Sequence, residues 1–460
     1  MILTALFNFL LAVLAAPLLV YWAGSWWDVV PLLFFLQFLS FFPVIKRNLI
    51  YARDIFLPSS IFLMYVGLNF IVGAYFVAHD RGVNSTLGAD VKTIQNYPWI
   101  TVFYILVNLL AFALTVRSLR TLNSRRATAV KVEFPRVFSM GAKHLALSSS
   151  IIGAVFISVS LLGPTFSFSI QLLLLVVQLM MVSRCGRLHR GIIYLIYLVA
   201  FTSFNFANKR EIAVALMVVM YFELLYSNAK LKMTLKTAAL GGAVAMLFCL
   251  LVMAASISRG YGEFELSGSF AAFALIPKYV MSDIFLDSIV ENFELSYVFA
   301  AAYIAADYVI AGHLDYQIGL SYLKPLFFLF DREIYWWKPD SVMILFTKRY
   351  DPAFYSLGGS YPILSPTEAF VNFHYFGLIV FGLLLSFGNR LFVGLEFGGG
   401  RAFVVLSRFV LVFTFFFYIR GSGLELYLLY FLFALPYLLL FSIFEKMVVT
   451  RPVHAKRWAV

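Results

Sequence analysis

Apolar residues run along this chain in blocks too long for the core helices of a soluble domain. Such blocks recur at about 2–22, 29–45, 55–79, 97–117, 143–163, 166–183, 190–206, 211–226, 237–257, 368–389, 402–419 and 424–444. Blocks of about 17–25 residues cross roughly 30 Å of hydrocarbon as helices. None shows strict two-residue alternation, and lipid offers no partner to an unpaired backbone group, so helices are expected rather than a barrel. Nine spans therefore fall within 1–257 and three within 368–444, with a basic tail at 445–460. Residues 258–367 hold no clean span and are expected to form one large outer loop, a length usually kept for function. That loop is not polar. Phe270–Met281 and Val298–Ile310 are largely apolar, with Asp283, Asp287, Glu291, Glu294 and Asp307 scattered in and between them. This pattern fits helices lying on the outer interface or packed over the bundle, and it also fits a hairpin dipping into the membrane.

Composition agrees with the pattern and narrows the class. Apolar residues make up 62% and charged residues 13% of the 460 positions, against about 45–50% and 25% in a globular protein. The expectation is an all-α polytopic membrane protein forming one integral membrane domain. A soluble nucleic-acid binder, a disordered chain and a secreted disulfide scaffold are excluded. The two cysteines, Cys185 and Cys249, imply neither a bridge nor a metal site. Met1–Trp22 lacks a charged leader region and suits a retained first span.

The net charge of +12 first points toward a polyanion partner. The positions of the charges replace that reading with one of topology. Lys46, Arg47 and Arg53 fill one short loop, and Arg117, Arg120, Arg125, Arg126, Lys131, Arg136 and Lys143 the next but one. Arg184, Arg187 and Arg190, then Lys230, Lys232 and Lys236, then Arg390, Arg401 and Arg408 continue the alternation. Short loops rich in Lys and Arg stay cytoplasmic, so both termini are expected inside. Trp22, Trp26, Trp27, Trp99, Trp336 and Trp337 fall near the other interface, where tryptophan collects. Most of the acids lie on that outer side.

Candidate chemistry is sparse. There is no G-x-x-x-x-G-K-[ST], H-E-x-x-H or G-x-S-x-G. Gly398-Gly399-Gly400 reads as a flexible turn, and no nucleotide, metal or other cofactor is expected. Arginine is disfavoured in short outer loops, so Arg210 and Arg420 need a reason. Arg259 ends the ninth span, and Arg332 and Lys338 lie in the large loop. These five cations either snorkel to lipid headgroups or hold a phosphate or pyrophosphate. Glu368 opens the tenth span after Ser365-Pro366-Thr367, at or just below the outer interface. It is either a carboxylate stabilised by a helix N-terminus or a partly desolvated general base. His374 follows about 9 Å along the helix axis and reads as a bundle histidine or a ligand-facing group.

The stretch Arg332-Glu333-Ile334-Tyr335-Trp336-Trp337-Lys338-Pro339, then Gly358-Gly359-Ser360, Ser365-Pro366-Thr367 and Asn372-Phe373-His374-Tyr375-Phe376-Gly377, resembles the oligosaccharide repeat-unit polymerases (the Wzy, or O-antigen polymerase, family). His374-Tyr375-Phe376 lengthens that family's last element. Arg210, Arg259 and Arg420 are similar in order and sidedness to the family's outer arginines. The resemblance covers the topology and is specific over about 205–262 and 330–425. It implies a GT-C-like polymerase/ligase architecture in the bacterial inner membrane, with a periplasmic active face. It implies transfer of a growing glycan from undecaprenyl pyrophosphate to a new lipid-linked repeat unit. Donor and acceptor would be lipid-linked oligosaccharides among membrane lipids, with a chain-length regulator left open as a further partner. On this reading Glu368 is the general base and Arg210, Arg259, Arg420, Arg332 and Lys338 face the pyrophosphate. Tyr335, Trp336, Trp337, Tyr361 and His374 would face sugar, or the aromatics form an interfacial belt. Two alternatives stay open. One is an O-antigen ligase, for which His313 is the loop histidine. The other is a lipid-linked oligosaccharide flippase or secondary transporter.

Overall fold

The computed structural model describes residues 25–81, 85–128, 271–282, 294–327, 337–397 and 402–424 continuously, with scattered helical positions between them and up to 443. Every regular element among the described residues is helical. Four stretches are long and apolar enough to cross a membrane: Trp26–Asn48, Pro58–Ala78, Tyr97–Ala127 and Ser365–Glu396. They fall on the second, third, fourth and tenth spans read from the sequence. The first span, 143–163, 166–183 and the loop arginines Arg210 and Arg259 lie outside the described residues, as do Arg332, Tyr335 and Trp336.

Helix α1 (Trp26–Asn48) starts where Ser25 accepts the Trp27 N–H at 3.2 Å, with Asp28 in its first turn and Lys46 and Arg47 in its last. Those charges complement the helix dipole at both ends. A 3-10 turn, Ala52–Phe56, leads to α2 (Pro58–Ala78), which opens on Pro58. Its backbone widens into a π-turn at Asn69–Gly73, where Asn69 Nδ2 donates to the Tyr65 carbonyl at 2.8 Å. Helix α3 (Ser85–Thr93) is short, and α4 (Tyr97–Thr128) has 32 residues. At 1.5 Å per residue α4 is about 48 Å long and must extend beyond the hydrocarbon. Its overhang carries Arg117, Arg120, Arg125 and Arg126. One end of the bundle is thus basic, and the other carries Trp26, Trp27 and Tyr97, whose rings pack together.

Without a hydrophobic force between helices in lipid, packing and hydrogen bonds hold the bundle. Phe41 and Phe112 stack at 4.2 Å between α1 and α4. Gln37 Nε2 donates to the Ile105 carbonyl at 2.9 Å, and Asn108 donates to Gln37 Oε1 at 3.1 Å. Nearer the basic end, Asn389 and Ser59 exchange hydrogen bonds at 2.8 and 3.1 Å, and Thr115 donates to Ser59 Oγ at 2.7 Å.

The remaining described helices are α5 (Ala271–Val280), α6 (Leu295–Ile310), α7 (Leu320–Leu323), α8 (Val342–Tyr350), α9 (Pro352–Ser356), α10 (Ser365–Phe373), α11 (Gly377–Glu396) and α12 (Ala402–Phe417). Two of them revise the sequence reading. Helix α6 belongs to the stretch read as an outer loop, yet every residue from Val298 to Ala306 is buried. Tyr303 packs on Trp27, Phe70 and Tyr104, and Tyr104 donates to the Ala302 carbonyl. The structure packs 298–310 as a helix against the spans rather than leaving it as an exposed loop. Its small residues Ala300, Ala301, Ala302, Ala305 and Ala306 allow that close approach.

The second revision concerns the tenth span. The 32-residue stretch is two helices, because His374 adopts φ 53°, ψ −136° after Phe373. An ideal Cβ on Gly377 would lie 2.3 Å from the Ala369 carbonyl oxygen, eight residues earlier. A continuous helix would separate those residues by about 12 Å. The chain therefore doubles back, and α10 is a half-helix entering the bundle from the loop. Thr367 on α10 bonds Tyr104 at 2.6 Å. Tyr104 lies seven residues, about 10 Å, from Tyr97 along α4, so α10 begins about two turns into the bundle.

Candidate functional site

Three interruptions of helical structure meet at one place. The first is the N-terminus of α10, where Ser365 and Pro366 open the helix after extended Leu364. Proline suits that position because its missing N–H would go unused there. Glu368 occupies the first turn and is 2% exposed. The second is the N-terminus of α6, where Glu294 holds a left-handed conformation at φ 56°. The third follows α12, where the backbone widens over Tyr418–Ser422 and Gly421 takes φ 104°. Gly421 is required there: an ideal Cβ would meet the Ile363 backbone at 2.7 Å.

The widened turn touches both carboxylates. The Leu424 N–H donates to Glu368 Oε2 at 3.1 Å and Oε1 at 3.3 Å. Arg420 Nη2 donates to Glu294 Oε2. The Arg420 side chain is 13% exposed and that of Glu294 35%, so the pair runs from the bundle interior toward its surface. Arg420 thus sits in a kinked turn that follows α12, between the eleventh and twelfth spans read from the sequence. Gly421 and Gly423, with positive φ values, let the chain change course there.

Two phenols complete the surroundings. Tyr322 lies close enough to Tyr418 and Glu368 for each to act on its ionisation, and burial disfavours its phenolate most. Asn372, one turn beyond Glu368, donates to Ser321 Oγ at 2.7 Å and to the Glu368 carbonyl at 2.8 Å. These bonds fix α10 to the segment that carries Tyr322. The result is a buried carboxylate that accepts the Leu424 N–H, with the Tyr322 phenol nearby, and an adjacent turn whose arginine meets a second carboxylate from the start of α6. Glu368 is placed to exchange a proton, and Arg420 to neutralise a developing negative charge.

The other expected residues lie elsewhere. His374 caps the far end of α10, half-buried, against Phe370, Tyr375 and Tyr316 at ring distances of 4.8, 4.3 and 5.3 Å. Tyr361 is 4% exposed; its hydroxyl donates to Asp351 at 2.9 Å and its ring packs on Phe346, Tyr350 and Phe354. Its ring is therefore packed within its own chain. Trp337 is 52% exposed beside Phe327, with Lys338 next to it and half-buried. His313 is exposed at the end of α6, where its carbonyl accepts from Arg349. Among the described residues, no three His, Cys, Asp or Glu side chains gather to hold a metal ion.

Sequence reasoning named Glu368 and Arg420 but gave no role to Glu294, Tyr322 or Tyr418. An available signal was shared by Glu294 and Glu368: each acid stands at the start of an apolar helical run. An acid entering a membrane-buried helix is costly and marks a site by default. Compared with models of known families, curated proteins and solved structures, the chain matches none.

Proposed function

We propose that this protein is a membrane glycosyltransferase that polymerises lipid-linked oligosaccharide repeat units. The observation that carries the reading is the buried Glu368 on a half-helix, bonded by the Leu424 N–H just past the broken turn that holds Arg420. The donor arrives activated by undecaprenyl pyrophosphate, so the reaction needs no nucleotide. A hydroxyl of the acceptor repeat attacks the anomeric carbon while Glu368 takes its proton. The glycosidic C–O bond forms as the bond to pyrophosphate breaks, and Arg420 offsets the charge on the leaving anion. Glu294 holds Arg420 in place beforehand, taking one nitrogen of its fork. Arg210, Arg259, Arg332 and Lys338 are further candidates for the pyrophosphate. In this reading the basic end faces the bacterial cytoplasm, and the site opens to the periplasm.

A second reading draws on the same breaks. Secondary transporters place polar groups on discontinuous helices within the membrane, and α6, α10 and the turn after α12 supply such breaks here. Sealed vesicles containing the protein and a fluorescent lipid-linked repeat separate the two. A polymerase joins repeats and releases undecaprenyl pyrophosphate. A carrier moves the lipid between leaflets and leaves single repeats, an outcome that would replace the enzyme reading.

A further inference from the structure

At the basic end of the bundle, five charged side chains from four elements form one buried network. The turn Ala52–Phe56 supplies Arg53 and Asp54, α4 supplies Arg126, α11 supplies Glu396 and α12 supplies Arg408. Arg126 grips Asp54 with both terminal nitrogens, at 2.6 and 2.7 Å, and also reaches Glu396 Oε1 at 2.8 Å. Arg53 takes the same Glu396 oxygen at 2.8 Å, and Arg408 Nη1 takes Oε2. Asp54 is fully buried, and the side chains of Glu396 and Arg408 are 8% and 5% exposed.

Within these five residues, three guanidinium groups face two carboxylates, and each carboxylate oxygen already accepts from one of them. Arg408 Nε and Nη2 are buried with no hydrogen-bond partner among the described residues. These two nitrogens form the side-on edge of the guanidinium, opposite the part that Nη1 turns to Glu396. Phe392 lies 4.0 Å from the guanidinium carbon and fixes its position. An unmatched buried charge costs several kcal/mol, and a side-on guanidinium edge matches two oxygens of one phosphate.

We propose that this cluster is a second anion site, in which the free edge of Arg408 holds one phosphate group. A phosphate monoanion would bring the five-residue network to neutrality and accept both orphaned N–H groups. The ligand is a lipid phosphodiester headgroup or free inorganic phosphate. The site is independent of Glu368 and does not rest on the polymerase reading.

The test uses delipidated full-length protein in a phosphate-free detergent. Equilibrium dialysis measures radiolabelled inorganic phosphate, and native mass spectrometry measures retention of phosphatidylglycerol against phosphatidylcholine. Stoichiometric binding in the first arm assigns a soluble anion, and selective retention in the second assigns a headgroup. Arg408→Gln should weaken the positive arm at least about tenfold, while Arg390→Gln, at an exposed position of α11, should not. Arg408→Lys keeps the charge but loses the fork, and should weaken binding if the Gln variant fails to fold. Wild-type protein that binds neither probe would overturn the proposal. So would binding that all three variants retain unchanged.

Discussion

Glu368 and Arg126 show opposite uses of a buried charge. Glu368 accepts the Leu424 N–H and lies near the Tyr322 phenol, in the first turn of a half-helix. Glu368→Gln keeps the shape and the Leu424 contact but removes the base. Elongation should fall about 10²–10⁴-fold, as for loss of a general base, with an unchanged thermal midpoint measured on the same preparation. Arg126 is structural, because Asp54 depends on both of its terminal nitrogens. Arg126→Met should destabilise by about 3–5 kcal/mol, since it strands a buried carboxylate. Denaturation in mixed micelles reads that loss, and a change within 0.5 kcal/mol would refute it.

At the scale of elements, the informative events are breaks. Gly377 lets α11 fold back onto α10, and Gly73 lets α2 meet the start of α6, where an ideal Cβ would lie 2.4 Å from the Leu295 carbonyl oxygen. Neither backbone atom can step aside as a side-chain tip could. Gly377→Ala and Gly73→Ala should each cost about 1–3 kcal/mol or more, read as a lower unfolding midpoint. Gly394→Ala, with open space at its Cβ, is the matched control and should be neutral. The breaks also show what the sequence could and could not reveal. Hydropathy finds 29–45, 55–79 and 97–117 because burial in lipid depends on composition over a long window. It merges 368–389 into one span because a left-handed His374 leaves no compositional trace. It leaves Val298–Ile310 open between an outer helix and a membrane hairpin, because the 16 residues of Leu295–Ile310 are about 24 Å long and too short to register as a full crossing. The site residue Arg420 is legible as an anomaly of charge, whereas its partner Glu294 depends on a contact 126 positions away.

The whole molecule has a polar division of labour. Its basic end is tied by the Arg53–Asp54–Arg126–Glu396–Arg408 network, which joins the first loop to α4, α11 and α12. Its tryptophan end admits the half-helices whose acids converge on one broken turn. The positive-inside pattern assigns the first end to the cytoplasm. Cysteines introduced at Lys46 and at Asp90 should therefore react with a membrane-impermeant maleimide from opposite sides of intact cells. Labelling of both from one side would undo the orientation. If Glu368 and Arg420 form the glycosyl-transfer site proposed above, gel analysis of purified protein with labelled lipid-linked repeat units should reveal it. The wild type should give a ladder of lengthened glycans, and Glu368→Gln and Arg420→Ala only single repeats at equal folded protein. Ladders of equal length from all three proteins would contradict the proposal.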